Sequence, residues 1–245
     1  MPTLELTDPF TIAVVAIAAL VGGFVRGFSG FGGPAVMILV LVPFFAPVSI
    51  LSKVMVIDFI ANIKLIPSTV RDIHRATAIP VLAGTLLGGP LGFYALNSMD
   101  PHVMKRAIAA IAGSLTIMLI VGVKFSRIPS LWVHLGLGIF AGVVLGATNI
   151  AFAAALYFLA LPLAARQGRA NMILWGFVTS IALIIAHLAV SNLSWESMWR
   201  AALIGFIYLA GAWIGTFVFA KTSERNFRSL VLWFLLALAA VGLYI

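Results

Sequence analysis

Gly22-Gly23-Phe24-Val25-Arg26-Gly27-Phe28-Ser29-Gly30-Phe31-Gly32-Gly33-Pro34 breaks an otherwise uncharged apolar run that extends from residue 9 to residue 52. Glycines and a proline interrupt a helix. In a hydrocarbon environment irregular backbone is tolerated only where it is buried in protein or lines a cavity. A single arginine inside that break must also find a partner or a ligand. The stretch therefore reads as a solute site built from broken helix inside a membrane protein.

The rest of the chain supports that class. Of 245 residues 63% are hydrophobic and 9% charged, against roughly 25% charged in a soluble domain. Apolar segments recur at about 9–26, 34–47, 50–69, 77–97, 105–123, 132–148, 150–163, 171–190, 199–219 and 229–245. A helical span needs about 20 residues, so most qualify and two, 34–47 and 150–163, are too short. The segments are apolar all round, unlike soluble amphipathic helices, and do not alternate as barrel strands do. The expected fold is an all-α polytopic membrane protein with eight to ten hydrophobic helices or half-helices. Glu5 and Asp8 with no early Lys or Arg make the first segment a retained span rather than a removable leader. With no cysteine, disulfides and thiolate metal ligation are excluded. The net charge of +8 sits in loops and reads as membrane orientation, not nucleic-acid binding.

Two halves share a pattern. Gly23, Gly27 and Pro43 recur as Gly142, Gly146 and Pro162, each 119 residues on, and Ser29 is matched by Thr148. Ala83-Gly84 and Gly88 correspond to Ala210-Gly211 and Gly215 at a separation of 127. Residues 1–124 and 125–245 then form two repeats of five segments within one transmembrane domain. An odd number per repeat inverts the second relative to the first. Alternate loops sort the charge: Arg71, Arg75, Lys124, Arg127, Arg166, Arg169, Lys221, Arg225 and Arg228 fall on one side, against Lys53, Lys105, Arg106 and Arg200 on the other. The richer side is expected to be cytoplasmic, with both termini periplasmic and the chain in a bacterial inner membrane.

Within the break, Gly27, Gly30, Gly32 and Gly33 expose amides, and Pro34 suits the first turn of a following helix. Helix N-terminal amides favour an anion. Arg26 adds a permanent charge with a donor fork matched to oxyanions, and Ser29 adds a hydroxyl. The second copy, Gly146-Ala147-Thr148-Asn149-Ile150-Ala151, has Leu145 where the first has Arg26. Asp58 lies inside a span, where an ionisable group costs about 2.5 to 3.5 kcal/mol by insertion scales. Asn62, four residues on, shares its helix face. Asp58 reads either as a proton acceptor or as the partner of Arg26 or Lys53. Lys53 and Lys64 read as snorkelling anchors, His187 as a packing or interfacial residue, and Asn171 as an N-cap or a ligand.

The Gly27-Phe28-Ser29-Gly30-Phe31-Gly32-Gly33 break, followed by Pro43 and repeated weakly after Ala141-Gly142, resembles the TauE/SafE family of sulfite and organosulfonate exporters, also called the 4-toluene sulfonate uptake permease family. The resemblance covers essentially the whole chain. It departs from the family at Ala147, Thr148 and Asn149, where more glycine is usual. It implies a multi-pass inner-membrane carrier of sulfur-containing anions. The rival reading, a membrane enzyme, lacks paired acidic clusters, H-E-x-x-H or a Ser/His/Asp set.

Together these readings give a secondary carrier whose partners are a small anion and the lipid bilayer, with no nucleic acid, metal or cofactor; a homo-oligomer is compatible with them. Arg26 and the amides of Gly30, Gly32 and Gly33 would bind the anion. Ser29, Thr148, Asn149 and Asn171 would complete its hydrogen bonds, and Phe28 and Phe31 would shape the pocket. Asp58, with Asn62, would couple or gate. The alternatives are a carrier of another small anion such as a carboxylate, or a non-transporting membrane assembly factor. No G-x-x-x-x-G-K-[ST] loop is present, which excludes ATP hydrolysis by that route.

Overall fold

Prolines, a glycine and acidic caps set where several of the apolar segments become helices. The computed structural model describes residues 4, 8–29, 32–122, 124–219, 233, 236 and 240. Its helices are α1 (Pro9–Ser29), α2 (Gly33–Leu41), α3 (Pro47–Thr69), α4 (Arg75–Ser98), α5 (Pro101–Val121), α6 (Leu131–Thr148), α7 (Phe152–Ala160), α8 (Ala165–Ala189) and α9 (Trp195–Phe219). No strand occurs among the described residues. The expected tenth segment, and with it Lys221, Arg225 and Arg228, lies outside the described residues apart from three isolated positions. Asp100 accepts from the amides of His102 and Val103 at 2.8 and 3.3 Å, so α5 starts at Pro101, ahead of its apolar run. Asp8 caps α1 in the same way, accepting from the Thr11 amide at 2.8 Å.

Among the described residues five helices are long and apolar enough to cross a membrane: Pro9–Gly27, Arg75–Ser98, Leu131–Thr148, Arg166–Ala189 and Trp195–Gly215. Their outward faces carry Phe10, Ile17, Leu87, Leu91, Phe140, Phe206 and Trp213, all exposed, an apolar surface suited to lipid. α2 and α7 have nine residues each. At 1.5 Å per residue that is about 13 Å, less than half of a ~30 Å hydrocarbon core. Neither crosses by itself.

Two tight helix pairs frame the molecule, α1 on α9 and α4 on α6, with α3 and α8 packed against each other between them. The pairs are close because glycine leaves room for backbone. A Cβ on Gly23 would come within 2.0 Å of the Tyr208 carbonyl oxygen, on Gly27 within 1.9 Å of that of Ala212, and on Gly211 within 2.3 Å of that of Leu20. In the other pair a Cβ on Gly142 would meet the Thr85 carbonyl oxygen at 2.3 Å, on Gly146 that of Gly89 at 2.2 Å, and on Gly88 that of Ile139 at 2.1 Å. The same three crossings thus recur 119 residues on in α1 and α6 but 123 residues apart in α4 and α9. Gly88 stands where Gly211 does, one helical turn from the 127-residue matching, because backbone contact sets the register and small residues four apart are interchangeable by sequence.

Loops gather at two ends. At one end Lys105 Nζ donates to the Pro43 carbonyl at 3.3 Å, Asn192 Nδ2 donates to Asn97 Oδ1, and the Leu4 amide donates to Ser49 Oγ at 2.9 Å. At the other, the Phe125 amide donates to the Ala160 carbonyl at 2.8 Å and Asn171 Oδ1 accepts from the His74 amide at 2.9 Å. Arg71, Arg75, Lys124, Arg127, Arg166 and Arg169 all belong to the second end. Lys53 does not snorkel: it is 5% exposed and its Nζ donates to the Ser49 carbonyl at 3.2 Å. Protein surrounds that face of α3, so the lysine never reaches an interface. The Lys64 side chain lies outside the described residues.

Candidate functional site

Arg26 sits in the last turn of α1, just before the break. Its Nη2 donates to Asn62 Oδ1 at 2.6 Å, and Nη1 lies 3.7 Å from Asp58 Oδ1. Asn62 Nδ2 in turn donates to Asp58 Oδ2 at 3.1 Å, as their four-residue spacing on α3 allows. The Tyr208 hydroxyl, from α9, donates to Asp58 Oδ1 at 2.9 Å. Both charged side chains are about a tenth exposed, 10% and 11%. A second ion pair, Arg200 with Glu196, is an exposed one-turn pair on α9.

The depth of this cluster follows from helix lengths. Asp58 is at the midpoint of the 23-residue α3, and Tyr208 lies near the middle of the 25-residue α9. Pro43 and Ser49, beyond α2, belong to the same end of the molecule as Leu4. The nine residues of α2 therefore place the break about half a membrane thickness inside.

A cavity of about 40 Å³ opens beside the pair, lined by Arg26 and Asp58, by Gly32, Pro34 and Ala35 at the start of α2, and by Ala151, Phe152 and Ala154 at the start of α7. Asn149, Gly176, Thr179 and Ser180 line it from α8 and the α6–α7 turn. Two helix N-termini thus border one small cavity. Helix N-terminal amides and dipoles favour negative charge. The Gly32 N-cap has φ 84°, a conformation glycine adopts without strain. Arg26 Nε is buried and has no hydrogen-bond partner among the described residues.

A second, apolar cavity of about 360 Å³ lies between α4, α6 and α8, lined by Leu86, Pro90, Phe93, Tyr94 and Ala186 among others. Leu145, Thr179 and Leu183 border both cavities and stand between them. His187 is buried and packs edge-on against Phe93, with ring centroids 4.8 Å apart.

The structure brings together Arg26, Asp58, Asn62, Gly32, Gly33 and Asn149. Thr148 is fully buried but turned into its own helix end, donating to the Val144 carbonyl at 2.7 Å and accepting from the Ile150 amide at 3.1 Å. Asn149 takes φ 52° as the C-cap of α6, and its Nδ2 donates to the Leu51 carbonyl at 3.4 Å. Asn171 is apart from the cavity: it accepts from the His74 amide and donates to Thr77 Oγ1 at 2.7 Å, tying α8 to the start of α4. Gly30 and Phe31, and the side chains of Phe28 and Ser29, lie outside the described residues.

Sequence reasoning missed Tyr208 and the α8 wall. Thr179 and Ser180, polar residues in mid-span, carried a signal that a hydroxyl bonded to its own backbone readily hides; both donate to carbonyls one turn back. Trp175 Nε1 donates to Thr85 Oγ1 at 2.9 Å behind the same wall.

An all-helical chain with several apolar spans, two half-helices meeting at mid-depth and a charged cluster at their tips has the construction of a membrane transporter. The model of the family described as Sulfite exporter TauE/SafE matches residues 15–242, nearly the whole chain. The chain belongs to that family, and is a membrane transporter rather than an enzyme. No curated protein and no solved structure matches it.

Proposed function

We propose that this chain is a secondary carrier of a small sulfur oxyanion or organosulfonate in a bacterial inner membrane, with the cavity between α2 and α7 as its binding site. The observation that carries this reading is that one permanent cation and two helix N-termini border a single buried cavity. About 40 Å³ has room for roughly three waters, comparable to the three oxygens of a sulfite or sulfonate head group. The adjoining apolar cavity supports an organic tail on that head group. The recurrence of three glycine crossings supports two inverted repeats, residues 1–124 and 125–245, with the site at their junction.

Asp58 serves as the coupling group. With its carboxylate ionised the site is already neutral, so an added anion would stand uncompensated in low dielectric. Taking a proton on Asp58 restores the balance and ties anion movement to a proton. The arginine-rich end is cytoplasmic and both termini are periplasmic.

Purified protein in liposomes, assayed for uptake of labelled sulfite, sulfate, methanesulfonate, an arylsulfonate and a carboxylate with and without a pH gradient, tests this. Saturable uptake of a sulfur anion, lost in Arg26→Ala, is expected. Uptake of the carboxylate alone would move the substrate class, and uptake of no anion, with Arg26→Ala unchanged in binding, would sink the carrier reading in favour of an assembly role. In Asp58→Asn, flux is expected to continue without its dependence on the gradient.

A further inference from the structure

Three donors converge on the Asp58 carboxylate: the Arg26 guanidinium at 3.7 Å, the Tyr208 hydroxyl at 2.9 Å and Asn62 Nδ2 at 3.1 Å. They come from α1, α9 and α3. This is how a protein holds an oxyanion, with donors of complementary geometry around each oxygen. Here the oxyanion is the protein's own. Arg26 Nε adds a buried donor without a partner among the described residues, so the donor set is larger than one carboxylate uses.

The backbone is arranged to deliver the phenol. Tyr208 is fully buried, and its carbonyl lies against Gly23, where a Cβ would approach to 2.0 Å. That contact fixes where the ring starts. At the other end, a Cβ on Gly33 would fall 2.2 Å from the hydroxyl oxygen. Only glycine lets the phenol reach under the first turn of α2. Gly32 and Pro34, on either side, line the cavity together with Arg26 and Asp58. Asp58, which lines the cavity, accepts from that hydroxyl. A phenylalanine would fill the same volume, so the hydroxyl answers a polar need.

We infer that Tyr208 is a substrate-binding residue: Asp58 is the resident anion of the empty site, and an incoming sulfur oxyanion displaces it and takes over its donors, the Tyr208 hydroxyl among them. The inference rests on the anion-carrier reading and deepens it. It differs from a role for Tyr208 in merely holding Asp58, because the bond that matters is the one to substrate. It also means that Asp58 competes with the anion.

A double-mutant cycle separates these roles. Sulfite and methanesulfonate are titrated calorimetrically into the purified chain, Tyr208→Phe, Asp58→Asn and the double variant. Loss of one hydrogen bond to a charged group weakens binding about tenfold or more. The full weakening is expected for Tyr208→Phe in the Asp58→Asn background, whereas in the parent the bond lost to the anion is offset by the bond the empty site no longer makes to Asp58 and the change is smaller; Asp58→Asn by itself binds more tightly than the parent. Absence of any loss from Tyr208→Phe in the Asp58→Asn background assigns Tyr208 to holding Asp58 and overturns the inference. No binding by parent or Asp58→Asn overturns the carrier reading as well. A readout free of substitution uses ring-labelled tyrosine in the parent: the phenol C–O infrared band shifts on saturation with sulfite. Saturation without any tyrosine shift rejects the inference.

Discussion

The Arg26–Asp58 pair is the most consequential pair of residues. Each charge is tolerable at mid-depth because the other is there, with Asn62 and Tyr208 supplying the remaining hydrogen bonds. Removing one partner of a buried pair leaves an uncompensated charge, at a cost of about 3 to 5 kcal/mol. Arg26→Gln is therefore expected to lower the thermal unfolding midpoint in detergent, and Asp58→Asn added to it should recover part of the loss. Double-variant stability below that of Arg26→Gln would contradict the pairing. Arg26→Lys keeps the charge but not the fork that reaches Asn62 and Asp58 together. Anion affinity in Arg26→Lys should fall about tenfold or more, consistent with loss of a charge-assisted bond, as a binding titration would show.

At the scale of elements, glycine decides how closely helices approach, and the structure separates glycines that matter from those that do not. Gly23 and Gly142 face carbonyl oxygens at 2.0 and 2.3 Å from a notional Cβ, whereas Gly89 and Gly136 meet nothing within 4 Å. Gly142→Val has to push α6 off α4, and overpacking of that kind costs about 1 to 3 kcal/mol or more; a clear drop in unfolding midpoint and in folded yield is expected. Gly136→Ala meets no such obstacle and removes a poor helix former, worth up to about 1 kcal/mol. Its midpoint should equal or exceed that of the parent. Equal effects of the two substitutions would mean that the α4–α6 contact is not as tight as described. By sequence all four are merely small residues in apolar spans, and only the crossing distinguishes them.

At the scale of the whole molecule, sidedness follows from which loops share an end. Residues 98–101 and 190–194 lie at one end with Pro43, and residues 70–75, 124–130 and 161–169 at the other, by the hydrogen bonds that join them. The chain has no cysteine, so single cysteines report without background. Ser98→Cys and Asn192→Cys are expected to react with an impermeant maleimide on intact cells, and Lys124→Cys and Arg127→Cys only after permeabilisation. The reverse pattern would place the arginine-rich end outside and invert the proposed orientation.

The amino-acid sequence determined the membrane class, most limits of nine apolar segments to within about four residues, the two segments too short to cross, and the shared helix face of Asp58 and Asn62. These are legible because hydropathy is a sum over neighbours and an i,i+4 face is local geometry. The sequence also placed Arg26 near Asp58 as one of several pairings, since a lone charge in lipid needs a partner. Only tertiary structure decided which pairing forms. It brought Tyr208 onto Asp58 across 150 residues, turned Thr148 into its helix end and Asn171 toward His74, and set the α4–α9 correspondence one turn from the sequence matching. A tyrosine in an apolar span looks like packing, and glycines four apart look alike. What they touch depends on which helices lie side by side, and close backbone contact between distant helices fixes that.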